Sequence, residues 1–183
     1  MKRKLLTLIS TALLVIGCMS FYSTPTITEQ MNSNGIEVSD STPSIVMYNS
    51  IVKYAEQYDI PKEYAFALAY QETRYRGPAD VNYKQTFSSK SGALGPMQIM
   101  YSTAKRFIEE GDVLTKKSLK SDIELNVKIS MRILRYLKDT HGTWGKAFGA
   151  YNTGKPIVNS YSKKILKKSY NWIAFSNTGA YIL

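Results

Sequence analysis

Pro61-Lys-Glu-Tyr-Ala-Phe-Ala-Leu-Ala-Tyr-Gln-Glu-Thr-Arg74 is the stretch on which the fold turns. Ala65, Leu68 and Ala69 stand at i, i+3 and i+4, which puts their side chains on one stripe of an α-helix. Pro61 suits the first turn of that helix, where its fixed φ is already helical and its missing N–H would have no partner anyway. Glu72 stands at i+7 of the same stripe, so a carboxyl follows the apolar side chains toward the core. Periodicity alone leaves two readings of it. Glu72 is either turned inward, where burial raises the pKa of an acid, or turned out to water at the helix end, paired with Arg74 or Arg76.

The same period continues on both sides. Upstream, Met47, Ile51, Ala55 and Tyr58 are spaced by four, four and three from Ser44 onward. Downstream, Leu125, Ile129, Ile133 and Leu137 repeat every fourth residue behind Asp122, a good N-cap, and Gly142 lies where that helix should stop. Shorter helices are expected from Ser102 or Thr103 to about 110, from 144 to 152 and from 156 to about 172. The segment from Gly77-Pro78 to Gly92 is loop-like, and Gly92, Gly95 and Pro96 mark a tight turn leading into helix. No convincing alternation of period two occurs. The expected domain is mainly α, spanning 44–183, with at most a small β-hairpin in the 77–95 loop.

The N-terminus reads differently. Lys2, Arg3 and Lys4 precede an apolar run from Leu5 to Gly17, too short to span a bilayer comfortably, which is the pattern of an export signal. The chain's one cysteine, Cys18, ends Val15-Ile16-Gly17-Cys18, which resembles the lipobox at which bacterial lipoproteins are cleaved and lipidated. One cysteine forms no intramolecular disulfide, and lipidation accounts for it. Residues 18–43 carry Ser, Thr, Asn, Pro and Gly and read as a flexible tether. The expectation is a signal over 1–17, a lipid anchor at Cys18 in the cell envelope, and one tethered domain.

Formal net charge is +10 and stays clearly cationic without Lys2, Arg3 and Lys4, so partners are expected to be anionic. An exported chain meets wall polymers and phospholipid headgroups before nucleic acid, and no nucleic-acid partner is expected. Lys163, Lys164, Lys167 and Lys168 form the one basic cluster, and it reads as a solvated helix face. His141 is the single histidine, so no zinc site or Cys-His nucleophile is expected, and neither a P-loop nor a dinucleotide fingerprint is present. No cofactor or metal is implied.

Glu72-Thr73, Ser91-Gly-Ala-Leu-Gly-Pro-Met-Gln-Ile-Met100 and Ala150-Tyr-Asn-Thr-Gly154 resemble, in order and spacing, three motifs of the soluble lytic transglycosylase (SLT) family of goose-lysozyme-like enzymes. Asp122 and Asn126, opening the long helix between them, also fit, and the similarity covers roughly residues 46–168. The resemblance implies a lysozyme-like helical fold and peptidoglycan glycan strands as substrate. It implies that Glu72 is catalytic acid and then base, with the hydroxyl of Thr73 helping to orient its carboxyl. Thr73 departs from the family's usual serine and keeps the hydroxyl; Pro96 replaces a residue that is more often leucine, and its rigid φ is compatible with the turn. Gln98 and Met100 match positions lining the sugar groove, and Tyr151 and Asn152 match the motif that faces the glutamate.

On their own, Gln98 and Asn152 could bond N-acetyl sugars or merely bridge loops, and Met97 reads as core filling. Ordinary glycoside hydrolysis uses two carboxylates, and no obvious second one accompanies Glu72; Asp80 is the nearest candidate. The implied lytic route, giving 1,6-anhydromuramic ends, does without it. A muramidase of the same fold and a non-catalytic wall-binding protein are the rival readings. Service to a secretion, conjugation or cell-wall machine is compatible with all three.

Overall fold

The computed structural model describes residues 42–178, with side chains as far as Trp172. The expected export signal, Cys18 and the tether up to residue 41 lie outside the described residues. Helices α1 (Pro43–Gln57) and α2 (Lys62–Thr73) are followed by a long loop. The two-stranded antiparallel pair β1 (Ala93–Leu94) and β2 (Ile99–Met100) comes next, with Ala93 opposite Met100 and Leu94 opposite Ile99. Then come α3 (Tyr101–Ala104), α4 (Lys116–Ser121), α5 (Ile123–His141), α6 (Trp144–Thr153) and α7 (Ser160–Thr178). Among the described residues the architecture is helical apart from this short hairpin.

α2 is the central helix. Its expected stripe of Ala65, Leu68 and Ala69 is wholly buried, and Phe66 and Ala67 are buried too, so the middle of the helix is enclosed nearly all round. Alanines make this possible, because their small side chains let neighbouring helices approach closely. α7 lies along α2, α1 packs on both α2 and α5, and α6 fits between α5 and α7. Phe66 stacks on Trp172 of α7 with centroids 4.5 Å apart, and Tyr64 meets Trp144 and Phe148 of α6 at 5.4 and 5.7 Å. Each of these aromatic pairs adds about 0.5–1.5 kcal/mol beyond its area burial. Just past α2, the buried Tyr75 donates its hydroxyl to the carbonyl of Ser44 at 2.7 Å, tying the end of α2 to the start of α1.

The caps explain where the elements begin and end. Asp122 accepts from the Leu125 N–H at 3.0 Å and opens α5, while Gly142 closes it at φ +79°, both as the sequence suggests. Several boundaries differ: the short helix opens at Tyr101 without a cap from Ser102 or Thr103, and the last helix runs past 172 to Thr178. Pro61 stands just outside α2, at its N-cap and not inside its first turn. The helix expected to run to about 110 stops at Ala104. There, Arg132 of α5 donates to the carbonyls of Phe107 and Ile108, and Lys128 pairs with Glu109 and Asp112, so the segment turns on itself and is fastened to α5 in place of continuing as helix. The last helix begins at Ser160, four residues later than expected, because Asn159 and Ser162 form a reciprocal cap: Ser162 N–H donates to Asn159 Oδ1, and Asn159 N–H to Ser162 Oγ. The same device at Thr115 and Ser118 opens α4, a helix the periodicity did not reveal. The hairpin also falls later than 77–95, because its turn is the Gly95-Pro96 corner itself.

That corner is held from α5 by Asn126, which is fully buried. Its Oδ1 accepts from Met97 N–H at 2.9 Å, and its Nδ2 donates to the carbonyls of Leu94 (3.0 Å) and Leu119 (2.7 Å). Gly95 has φ +74°, and a Cβ there would run into both Asn126 and the Leu119 carbonyl. Glycine is therefore required twice over, by conformation and by space. Asn126→Ala should destabilise the domain by about 3–5 kcal/mol, since three buried backbone groups lose their partner at once. A urea-unfolding difference below about 1 kcal/mol would show that the corner does not depend on this side chain.

Candidate active site

The last turn of α2 delivers Glu72 to a cavity of about 230 Å³ whose lining also includes Ser89, Gln98, Met100, Tyr151 and Asn152. Four separated pieces of chain meet there: the end of α2, the β-hairpin and its flanks, Ile133 of α5, and the end of α6. Five of the six candidates, Glu72, Gln98, Met100, Tyr151 and Asn152, are thus brought together. Thr73 is not among the lining residues.

Glu72 is largely withdrawn from solvent, and burial pushes its carboxyl up from the ordinary range to about 7. One interaction opposes the rise. The hydroxyl of Tyr161, in the first turn of α7, donates a hydrogen bond to Glu72 Oε1, which favours the ionised form. The Tyr161 phenol is itself pushed upward, first by burial and then by the neighbouring carboxylate, so it stays protonated and remains the donor. No ion pair among the described residues joins Glu72 to Arg74 or Arg76. Arg74 lies over the Tyr70 ring instead, 5.3 Å from its centroid. The inward reading of Glu72 is the one the geometry supports.

Tyr161 is the residue that sequence reasoning missed. A signal was available: Tyr161, Ile165, Ser169 and Trp172 are spaced by four, four and three, one stripe of α7, and the last three are buried. The stripe points the helix at α2 and carries Tyr161 to the carboxyl.

Thr73 works differently from expectation. Its hydroxyl donates to the Pro96 carbonyl at 2.8 Å and accepts from Tyr83 at 3.0 Å, leaving no proton for Glu72. The reason is directional: one residue past Glu72, the side chain has turned about 100° around the helix and faces the hairpin corner. Thr73 positions the cavity wall and not the acid. Tyr151 has a similar double character. Its ring lines the cavity, yet its hydroxyl donates to the carbonyl of Met97 at 2.8 Å, and burial followed by the charge of Glu72 raises its pKa.

The corner 95–97 is accordingly clamped from three helices, by Thr73 of α2, Asn126 of α5 and Tyr151 of α6. Gln98, next along, has a left-handed φ of +51° and folds its Nε2 back onto the Gly95 carbonyl at 2.8 Å. An unfavourable φ for a non-glycine residue is tolerated where the surroundings over-determine it, and Gln98 in this conformation lines the cavity. Met100 is 41% exposed, leaving a polarizable apolar side chain at the rim. Asp80 does not reach this cavity; it lines a separate concavity with Arg76, Asn82 and Lys84. Among the described residues, Glu72 is the one carboxyl in the lining.

Such an arrangement can donate a proton near neutral pH and take it back, beside amides and a thioether suited to a polar polymer with apolar faces. The comparisons with known proteins bear on the fold and the family. In shape the chain is similar to an inactive mutant of the lytic transglycosylase Slt from Pseudomonas aeruginosa in which a glutamate is replaced by glutamine. The TM-score is 0.55 and the sequence identity 16%, over 84% of this chain and 28% of that one. The likeness therefore concerns the fold, and this chain spans less than a third of that protein's length. No curated protein matches the chain in sequence. The family model described as Transglycosylase SLT domain matches residues 49–173, from α1 through the Glu72 turn, the hairpin and the end of α6 into α7. With its fold and its motifs inside that span, the chain belongs to the Transglycosylase SLT domain family.

Proposed function

We propose that the protein is a lytic transglycosylase of peptidoglycan that cleaves the β-1,4 bond between N-acetylmuramic acid and N-acetylglucosamine and leaves 1,6-anhydromuramic ends. The observation that carries this reading is a single sheltered carboxyl, pushed up to about 7, in a cavity whose described lining holds no second one. Hydrolysis usually enlists two carboxylates; a reaction whose nucleophile belongs to the substrate needs one. Protonated Glu72 gives its proton to the glycosidic oxygen as the bond from the anomeric carbon breaks, and the sugar's own N-acetyl oxygen supports the electron-poor carbon. The carboxylate, held by the Tyr161 hydrogen bond, then takes the proton of the C6 hydroxyl as that oxygen bonds to the anomeric carbon. Glu72 ends protonated, and no water is consumed.

Gln98 and Asn152 supply amides for the N-acetyl and hydroxyl groups, and Met100 offers apolar surface to a sugar face. The neighbouring Slt structure is an inactive glutamate-to-glutamine mutant, the change that probes the same chemistry here. Export and lipidation at Cys18 would place the domain on a tether beside its polymer; the mass of the mature N-terminus checks this.

Digestion of purified sacculi should release fragments ending in anhydromuramic acid, one water lighter than reducing ends, by mass spectrometry. Reducing ends would make the protein a muramidase. Glu72→Gln should keep glycan binding and lose turnover by about 10²–10⁴-fold; near-normal turnover would remove Glu72 from the chemistry.

Because the protonated form starts the reaction, activity should fall as pH rises through about 7. Tyr161→Phe removes the bond that favours the carboxylate, so this alkaline limb should move up by roughly half to one pH unit. A limb that moved down would invert the assigned role of Tyr161.

The same ionisation should register in stability. Glu72 is raised when folded, so the native state holds its proton between 4.5 and about 7 and the wild type loses stability as pH climbs through that window. Glu72→Gln escapes the loss, and its melting temperature should gain on the wild type by roughly 7–14 °C between pH 4.5 and 8. A constant difference would contradict the sheltered carboxyl.

A further inference from the structure

A second concavity of about 360 Å³ opens on the seam between α2 and α7. It is lined by Tyr70, Gln71 and Arg74 from α2 and by Lys164, Lys167, Lys168 and Asn171 from α7, and shares no residue with the Glu72 cavity. The α7 residues stand at i, i+3, i+4 and i+7, one stripe of that helix, beside the buried stripe of Ile165, Ser169 and Trp172. The basic cluster that reads in sequence as a solvated face is therefore divided. Three of its four lysines line a hollow together with an arginine from another helix.

Three observations set this hollow apart from ordinary surface. First, four cations converge on it with no carboxylate in the lining and no ion pair among the described residues, although Arg74 also borders the neighbouring concavity that holds Asp80. The paired cations elsewhere, Lys53, Lys128, Arg132 and Arg135, all have carboxylates within 4 Å. Second, the Tyr70 ring holds two of the four in place, with Lys168 Nζ 4.1 Å and the Arg74 guanidinium 5.3 Å from its centroid. Third, Arg74 is the left-handed C-cap of α2, at φ +61°. Glycine is the unstrained residue there, so this chain carries backbone strain to keep a guanidinium at that point.

We infer that the α2–α7 hollow is a binding site for a phosphodiester polymer with a polyol or sugar backbone, of the kind that decorates a cell wall. Four converging cations match a ligand with more than one negative charge better than a lone carboxylate, and Arg74 suits the fork geometry of a phosphate. The amides of Gln71 and Asn171 are placed for the hydroxyls between charges. The volume admits a phosphate with its neighbouring unit, and an open seam lets a strand continue at both ends. The site would hold the protein against an anionic wall polymer beside the glycan groove. The choice of a wall polymer rests on the cell-wall setting proposed above, whereas binding itself does not require cleavage by Glu72.

Binding of a synthetic six-unit glycerol-phosphate oligomer to the full chain, read by calorimetry in low salt, tests this separately from cleavage. The wild type should bind it better than phosphatidylglycerol vesicles or a single-stranded DNA of equal charge, and should ignore a neutral chito-oligosaccharide at this site. Lys164→Gln/Lys167→Gln/Lys168→Gln should weaken binding at least tenfold, while Lys116→Gln/Lys117→Gln/Lys120→Gln, the same charge loss on α4, should change it less than twofold. Arg74→Gly should relieve the strained cap and raise the melting temperature, yet weaken binding several-fold. No binding, equal loss in both triple variants, or preference for vesicles or DNA would overturn the assignment. The Arg74→Gly variant excludes misfolding as the cause, because its stability and its affinity move in opposite directions.

Discussion

A carboxyl stays protonated near neutral pH only where packing keeps water away from it on nearly every side, and the seam between α2 and α7 meets that condition at Glu72. Alanines at 65, 67 and 69 allow close approach to α2, and the Phe66–Trp172 stack locks α7 in place at the seam. Tyr161 then arrives over the carboxyl with a hydroxyl in place of a methyl. The contact is a compromise between opposing tendencies: burial raises the pKa and the phenol lowers it. Burial without the phenol would leave the ionised form uncompensated after proton donation, and the phenol without burial would return the acid to the ordinary carboxylate range, where it is ionised before it meets substrate.

The other wall of the cavity is irregular backbone, which poses a different problem. A loop around Gly95-Pro96 has few backbone partners of its own and must borrow them. Asn126 supplies two and ties in Leu119 of α4 with its third bond, and Thr73 and Tyr151 supply one each, so the corner is joined to three helices that are themselves packed on one another. This accounts for side chains whose polar atoms never face the cavity. Thr73 and the hydroxyl of Tyr151 keep the wall at a fixed distance from the acid, and Gln98 holds a strained φ because its neighbours leave it no alternative.

The helical architecture was legible because its signals are local. Asp122 and Gly142 delimit α5 with side-chain and φ requirements that act within four residues, and the four-residue repeat between them is long enough to exclude a strand. The failures share the opposite property. Helix α3 stops early because Lys128 and Arg132, some 25 residues downstream, take hold of the segment after it, and nothing within that segment announces their arrival. The late start of α7 was in principle readable from Asn159 and Ser162, a capping pair overshadowed by Pro156. In the site, the positions of Glu72, Gln98, Met100, Tyr151 and Asn152 were recoverable from motif and period, whereas the directions of the Thr73 and Tyr151 hydroxyls were not. Direction depends on which backbone carbonyl lies opposite, and that is a property of the assembled fold. Tyr161 belongs between these cases, since its stripe is visible in the sequence but its partner lies 89 residues away.

The distribution of charge follows from the same division of labour among helices. α5 is the helix that gathers loose segments, and it does so with ion pairs: Lys128 and Arg132 to the 107–112 stretch, Glu124 to Lys53 of α1, Arg135 to Asp59 beyond α1. Lys128, Arg132 and Arg135 are each paired with carboxylates, while Lys138 near the helix end lies over the Trp144 ring. α7 is held instead by aromatic and aliphatic contact, through Ile165 and Trp172, and its lysines are not needed for assembly. Among the described residues, four lysines, at 163, 164, 167 and 168, are thereby left without ion pairs on the helix that also carries Tyr161 to the acid. One helix thus brings both Tyr161 to the acid and, through Lys164, Lys167 and Lys168 on another stripe, a local concentration of positive charge that attracts polyanions.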